Sequence, residues 1–398
     1  MAIELLSPNT GFHAARDALE QATRDPALCT EAHYLLWEIC QACGDRDGAM
    51  SHLNTAIARN PLRTRLIPDT TPTRTVLALA VPGDFQANLP LGMLLDGSTL
   101  LHTLWLADPQ AVIRDPRAAI PRDLPSIDCV FVSIAEDRNH AAALRAADLL
   151  AAELVVPVIN NGQCVAGLSR TGAAMLLADV PGAIVPGQEI HGHAALRTDP
   201  PAFPFIVRPV GRHAGDGLCL ITDTAGLRAY LANHVQSAEF FNAPFIDYRS
   251  RDRMYRKLRV VFVDGVPYPV HLAIHSDWAL WYYNARMDLD AWKCEEEERF
   301  LSDIRTYVGG RAMSALREIG ARVGLDYFGL DCAVLEDGRL LVFEVETGMI
   351  VHDRDPADLH PEKKRSAARI FRAVERMIDS RVAEHQSGQL GGRGDPAG

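Results

Sequence analysis

The stretch from Phe328 to Glu346 constrains this chain most. Phe328-Gly329-Leu330-Asp331-Cys332-Ala333-Val334 runs to a turn at Glu336-Asp337-Gly338 and returns as Leu340-Leu341-Val342-Phe343-Glu344-Val345-Glu346. Two apolar runs joined through Asp-Gly read as a β-hairpin. Period-two alternation puts Glu344 and Glu346 on one face of the return strand and Phe343 and Val345 toward the core. Asp331 sits across the hairpin, within reach of the same place. Three carboxylates converging beside an apolar face repel one another unless a divalent cation sits among them. Oxygen-only ligands suit magnesium or manganese rather than zinc.

Such a hairpin needs a large fold around it. A chain of 398 residues, 48% hydrophobic and 23% charged, has the composition of a globular protein of several structural units. A net charge of -11 argues against a nucleic-acid partner or an anionic membrane surface, both of which need a basic face. Neither a signal peptide nor a long apolar span is evident, and the eight cysteines are scattered, so a cytoplasmic setting is expected. The one CxxC, Cys40 to Cys43, falls inside a helical pattern and reads as two helix residues rather than half a zinc site.

The pattern divides the chain. Residues 12–60 carry apolar positions at helical spacing, and 1–68 is expected to form an N-terminal helical segment. Val76–Val81 is a buried-type strand, followed by a helical stretch through Leu95. Cys129–Ile134 is a second strand, Asn139–Leu154 a helix and Val155–Ile159 a third strand. Strands alternating with helices over 75–187 imply a parallel, Rossmann-like sheet, without the GxGxxG of a dinucleotide site. Beyond it, 188–384 is richer in strands and closes with an amphipathic helix over 357–384; the Gly- and Ser-rich 385–398 is expected to be disordered. The fold class is therefore α/β (α+β).

Two further segments carry chemistry. Phe205–Pro209 leads into the glycine-rich 210–217 and returns as Leu218–Ile221, a hairpin whose Gly211, Gly215 and Gly217 let backbone N–H groups approach phosphate oxygens; a hairpin with no ligand is the alternative. In the strand Tyr255–Val263, alternation puts Tyr255, Lys257 and Arg259 on one face and Arg256, Leu258 and Val260 on the other. Cations on a strand that enters a core call for an anion, although an exposed edge strand would also carry them. His271 and His275 flank a short apolar run at a spacing that puts them on one face; ordinary core or surface histidines are the commonest outcome, and among functional roles substrate contact or proton acceptance is favoured over a metal pair. The run Glu295–Glu298 reads as a solvated helix face.

In order, these parts resemble the ATP-grasp superfamily from Thr75 to His352. Val156 to Asn161, Arg170 and Pro181 to Pro186 are similar to its pre-ATP-grasp domain and exit. Phe205–Gly217 resembles its phosphate-covering flap (203–221), and Phe245, Ile246, Asp247 and Tyr248 its hinge (245–248), which holds adenine by the backbone. Arg259 matches the arginine before a "vdG" turn, here Val263-Asp264-Gly265. Asp331, Glu344 and Glu346 match the metal ligands of its hairpin (328–347). Three departures stand out: Arg208 replaces a lysine, an earlier lysine has only His191 or Arg197 nearby, and Glu-x-Asn is Glu344-Val345-Glu346. Separately, Leu36, Gly44, Ala49, Leu53, Ala56 and Pro61 resemble one tetratricopeptide repeat, which must pack on the rest of the chain or on a second subunit.

The resemblance implies a two-lobed ATP-grasp domain over 188–384 and a ligase that uses ATP and Mg2+ (or Mn2+) to join a carboxylate to an amine through an acyl phosphate. Lys257, Arg259 and Arg208 would be catalytic, and Arg208, Gly211, Gly215, Gly217, Phe245, Ile246, Asp247 and Lys257 would hold the nucleotide. His271, His275 and Arg256 would meet substrate, an amino acid or peptide. A phosphotransferase and a non-catalytic binding protein are the alternatives. The N-terminal helices are expected either to recruit a protein partner or to form a plain appendage, and a homodimer through them is a reasonable arrangement.

Overall fold

The computed structural model describes residues 11–65, 71–95, 97–211, 215–355 and 360–391. It opens with α1 (Gly11–Ala22), α2 (Cys29–Ala42) and α3 (Arg46–Arg59), the last capped by Asp45, whose carboxylate accepts the Gly48 N–H. Tyr34, Leu53 and Ala56 bury themselves against Ala80 and Trp105, so the helices pack on the rest of the chain. Strand β1 (Leu62–Arg65) then joins a five-stranded sheet with β2 (Arg74–Ala80), β3 (Thr99–Trp105), β4 (Cys129–Val132) and β5 (Val158–Ile159), in the order β1-β3-β2-β4-β5. All neighbours are parallel except β1, which pairs antiparallel with β3 at the edge.

Two details differ from expectation. Between β2 and β3 the chain forms turns and one short 3-10 turn, Leu91–Met93, instead of a helix. Asn88 is the reason: its side chain accepts the Val81 N–H and donates to the Val81 carbonyl, while Pro82 and Pro90 have no N–H to give a helix. The third parallel strand is also shorter, because Val155 caps the preceding helix with a φ of 54°. That helix is α5 (Ala141–Leu154), preceded by the short α4 (Pro109–Arg114).

After α6 (Gly162–Ala166), α7 (Arg170–Leu177) and β6 (Ala183–Ile184) comes a small unit of β7 (Glu189–Gly192), α8 (His193–Thr198), β8 (Phe205–Pro209), β9 (Cys219–Ile221), α9 (Thr224–Asn233) and β10 (Glu239–Pro244). Its antiparallel sheet, β7-β10-β8-β9, covers a core of Leu196, Phe205, Val207, Leu227 and Phe240. The third sheet takes β11 (Tyr255–Val263), β12 (Val266–His275), β13 (Tyr327–Val334) and β14 (Leu340–Glu346), ordered β12-β11-β13-β14-β6. Between its strands lie α10 (Tyr282–Ala285), α11 (Ala291–Ser302) and α12 (Ile304–Val323).

The closing helix α13 (Pro361–Gly391) extends past the expected end at 384, so 385–391 is helical; 392–398, with Arg393-Gly394-Asp395, lies outside the described residues. It buries Ile370, Val374, Met377 and Ile378 in one cluster with Val76 and Phe131 of the first sheet and Val261 and Tyr327 of the third. The first and third sheets thus share an apolar core, while the small antiparallel unit keeps its own. Among the described residues no helix is long and apolar enough to cross a membrane.

Candidate functional site

The third sheet brings the expected residues together around Asp331. Register places Asp331 opposite Arg259 on β11 and opposite Glu344 on β14. Asp331 is fully buried, and a carboxylate there needs charge and hydrogen bonds. It has both: Lys257 Nζ lies 2.7 Å from Oδ2, while Arg259 donates from Nε to Oδ1 (2.8 Å) and from Nη2 to Oδ2 (2.9 Å). Burial alone would raise the Asp331 carboxyl, but Arg259 and Lys257 outweigh it and hold it far below the usual range. A β-bulge between Asp331 and Cys332 leaves Phe343 unpaired on β14. The Phe343 ring lies 6.0 Å from Lys257 Nζ.

The other two carboxylates are also met by cations. Glu344 pairs with Arg170 at the start of α7, which, with Lys257 and Arg208, keeps its carboxyl low despite burial. Glu346 lies 3.6 Å from Arg259 Nη2. There burial and the repulsion of Asp331 and Glu344 exceed the pull of Arg259, and the carboxyl is pushed up to about 7. Among the described residues no set of three or more His, Cys, Asp or Glu side chains is arranged to hold a metal ion; each member of the expected trio is engaged by a cation instead.

Arg208, on β8, behaves differently. Its Nε is enclosed and has no hydrogen-bond partner among the described residues. Burial, then the like charge of Arg170, pulls the guanidinium down to about 10. Beyond β8, Gly211, Gly215 and Gly217 all have φ between 72° and 78°, conformations open to glycine. A Cβ on Gly215 would stand 3.6 Å from the Trp281 ring, so this loop lies against that half-exposed indole. The Tyr230 hydroxyl donates to the Gly217 carbonyl at 2.8 Å. Residues 212–214 lie outside the described set.

In the segment expected to form the hinge, Phe245 packs edge-on to Trp278, with ring centroids 5.7 Å apart, and the Asp247 carboxylate accepts from the Arg249 backbone N–H and guanidinium. An open cavity of about 550 Å³ lined by Asp247, Arg249, Ser250, Arg253 and Leu335–Asp337 lies outside this turn. It contains neither Arg208, Lys257 nor any carboxylate of the trio, so the charge cluster and not this cavity is the candidate site.

His271 stands opposite Arg259 in the β11–β12 pairing, 4.7 Å ring to ring from Tyr282, and burial plus Arg259 holds it well below 6.5, hence neutral. His275 is separated from it: its Nδ1 accepts the Asp277 N–H at the strand end. Arg256 is not brought to the cluster; alternation sends it to the opposite face, where it binds Asp252 and Glu296. The run Glu295–Glu298 is not the solvated face expected of it. Glu296 and Glu297 are buried on α11, Glu296 accepting from Arg256 and the Tyr307 hydroxyl, Glu297 from the Leu272 N–H and the Tyr282 hydroxyl. Sequence reasoning also gave Arg170 no electrostatic role; only the packing of α7 on β14 reveals it.

No family model matches this chain, and no curated protein does. Among solved structures it is similar to the D-alanine–D-alanine ligase from Coxiella burnetii, at 11% identity over 80% of this chain and 98% of that one, TM-score 0.45. It is similar to the VanG D-Ala:D-Ser ligase from Enterococcus faecalis, at 11% identity, 77% and 100% coverage and TM-score 0.47. A third is the ATP-grasp ligase PsnB complexed with precursor peptide PsnA2 and AMPPNP, at 15% identity, 78% and 99% coverage and TM-score 0.43.

Proposed function

We propose that this chain is an ATP- and magnesium-dependent ligase that joins a carboxylate to an amine through an acyl phosphate. The observation that carries the reading is the enclosed, unpartnered Nε of Arg208, whose charge acts on the carboxylate of Glu344. An enclosed guanidinium nitrogen without an acceptor calls for an anion. A polyphosphate supplies it, and Asp331, Glu344 and Glu346 are the hard oxygen donors that its divalent ion would take, each now meeting a cation instead. When bound there, magnesium would neutralise phosphate charge.

The residues then divide the work. The backbone at Phe245, Ile246 and Asp247 receives the base, and the glycine loop covers the phosphates. Arg208, Lys257 and Arg259 offset charge as the substrate carboxylate attacks the terminal phosphorus and the bond to the bridging oxygen breaks to release ADP. Arginine keeps the charge of the lysine it replaces and binds phosphate through two N–H groups, so Arg208 suits the task. The amine then attacks the acyl carbon, phosphate leaves, and the closed loop keeps water from the acyl phosphate. A second reading, a nucleotide-binding domain without transfer, is favoured by one observation: all three carboxylates are already paired with cations.

Phosphate release from ATP in the presence of Mg2+ and pooled proteinogenic amino acids separates them. The ligase reading expects release that depends on the pool and falls about a hundredfold or more in Arg208→Ala. Release indifferent to the pool, or absent altogether, refutes it.

A further inference from the structure

Glu136 lies just past β4, at the C-terminal mouth of the parallel sheet, where open sheets of this kind take their ligands. Two contacts fix its place. Its N–H donates to Thr347 Oγ1 at 2.7 Å, and Thr347 follows Glu346 directly. One residue on, a Cβ on Gly348 would stand 3.0 Å from the Ala135 Cβ, so glycine permits the close approach of the β14 end to the β4 end. The Glu136 backbone is thereby stitched to the strand that carries Glu344 and Glu346.

Its carboxylate is partly buried and has no hydrogen bond or ion pair among the described residues. Arg170 is close enough to influence it, but Arg170 is committed to Glu344. The neighbouring Asp137 turns its own carboxylate to the Asn139 N–H and offers nothing positive. A half-buried carboxylate without a partner is costly, and here burial, then Asp137, raises the carboxyl to about 7. No cation pairs with it, and it is none of the three carboxylates assigned to the metal.

We propose that Glu136 receives the ammonium group of the amine co-substrate, making the chain selective for acceptors that arrive as cationic primary amines. This rests on the ligase reading: the amine must come to rest near the acyl phosphate, it arrives protonated at neutral pH, and it passes one proton to the Glu136 carboxylate before its nitrogen attacks the acyl carbon and phosphate leaves. The Glu136 backbone is anchored one residue from Glu346 through Thr347, and Arg170, the partner of Glu344, acts on its carboxylate, so an amine held there lies near the reacting groups. Glu136 is a specificity residue for the second substrate and takes no part in phosphoryl transfer.

The test separates the two half-reactions. Wild type and Glu136→Gln are incubated with ATP, Mg2+ and pooled proteinogenic amino acids, with and without hydroxylamine, and the products are read by mass spectrometry. Hydroxylamine is uncharged near neutral pH and traps the acyl phosphate without needing a carboxylate to receive it. Hydroxamate should form in both proteins, which also reports that the variant is folded. Amide should form about ten- to a hundredfold more slowly in Glu136→Gln, the worth of one hydrogen bond to a charged group, with the loss in KM for the amine and partial recovery in Glu136→Asp. Equal amide formation in both proteins overturns the assignment, as does a parallel loss of hydroxamate in the variant, which would put Glu136 in the first step. Absence of hydroxamate from wild type overturns the ligase reading beneath it.

Discussion

Glu297 shows how one residue can carry a pH dependence. Its side chain is almost wholly buried, and burial raises its carboxyl from 4.5 to about 7, Lys363 at 3.8 Å offsetting only part. The folded state therefore holds the proton more tightly than the unfolded chain. The stabilisation this gives is complete below pH 4.5 and is lost as pH rises through about 7. The loss should be on the order of 3 kcal/mol. Glu297→Gln keeps an oxygen for the Leu272 N–H, so its urea midpoints should vary less with pH across that window; an unchanged slope would contradict this account. The burial of Glu297 was not legible in the sequence. Four consecutive glutamates on a helix look solvated until Arg256, Tyr307 and the backbone of β12 are seen to face two of them.

At the scale of elements, α13 ties the first sheet to the third. Arg74 on β2 pairs with Glu375 and Asp379, and Arg381 with Asp264 and Asp326. The Arg74 and Glu375 side chains are 9% and 10% exposed, whereas Asp379 is 67% exposed. Glu375→Ala leaves a buried guanidinium short of its partner and should cost about 3–5 kcal/mol by chemical denaturation. Asp379→Ala should cost less than about 1 kcal/mol; equal costs would mean that the helix is not clamped where the burial indicates. The hairpin of β13 and β14 was legible because period two fixes which face each residue takes, and Lys257 and Arg259 did meet Asp331. The bulge that strands Phe343 was not, since one extra residue leaves no mark in composition. Nor was the helix-free β2–β3 crossover, which depends on Asn88 bonding back to Val81.

For the molecule as a whole, the parallel sheet, the small antiparallel unit and the third sheet each contribute to one charged cluster. Arg170 follows the first, Arg208 lies in the second, and Asp331, Glu344 and Glu346 lie in the third. The strands carrying these residues were readable because each has its own punctuation, such as a glycine-rich turn or an Asp-Gly hairpin. The pairing of Arg170 with Glu344 across 174 positions was not, because it exists only once α7 packs on β14. The central claim is that this cluster binds a nucleotide with its metal. Calorimetric titration of ATP with and without Mg2+, into wild type and into the double variant Glu344→Ala/Glu346→Ala, tests it most directly. The account predicts binding that needs magnesium in wild type and is lost in the double variant. No binding in either condition, or binding that ignores both magnesium and the two glutamates, would contradict it.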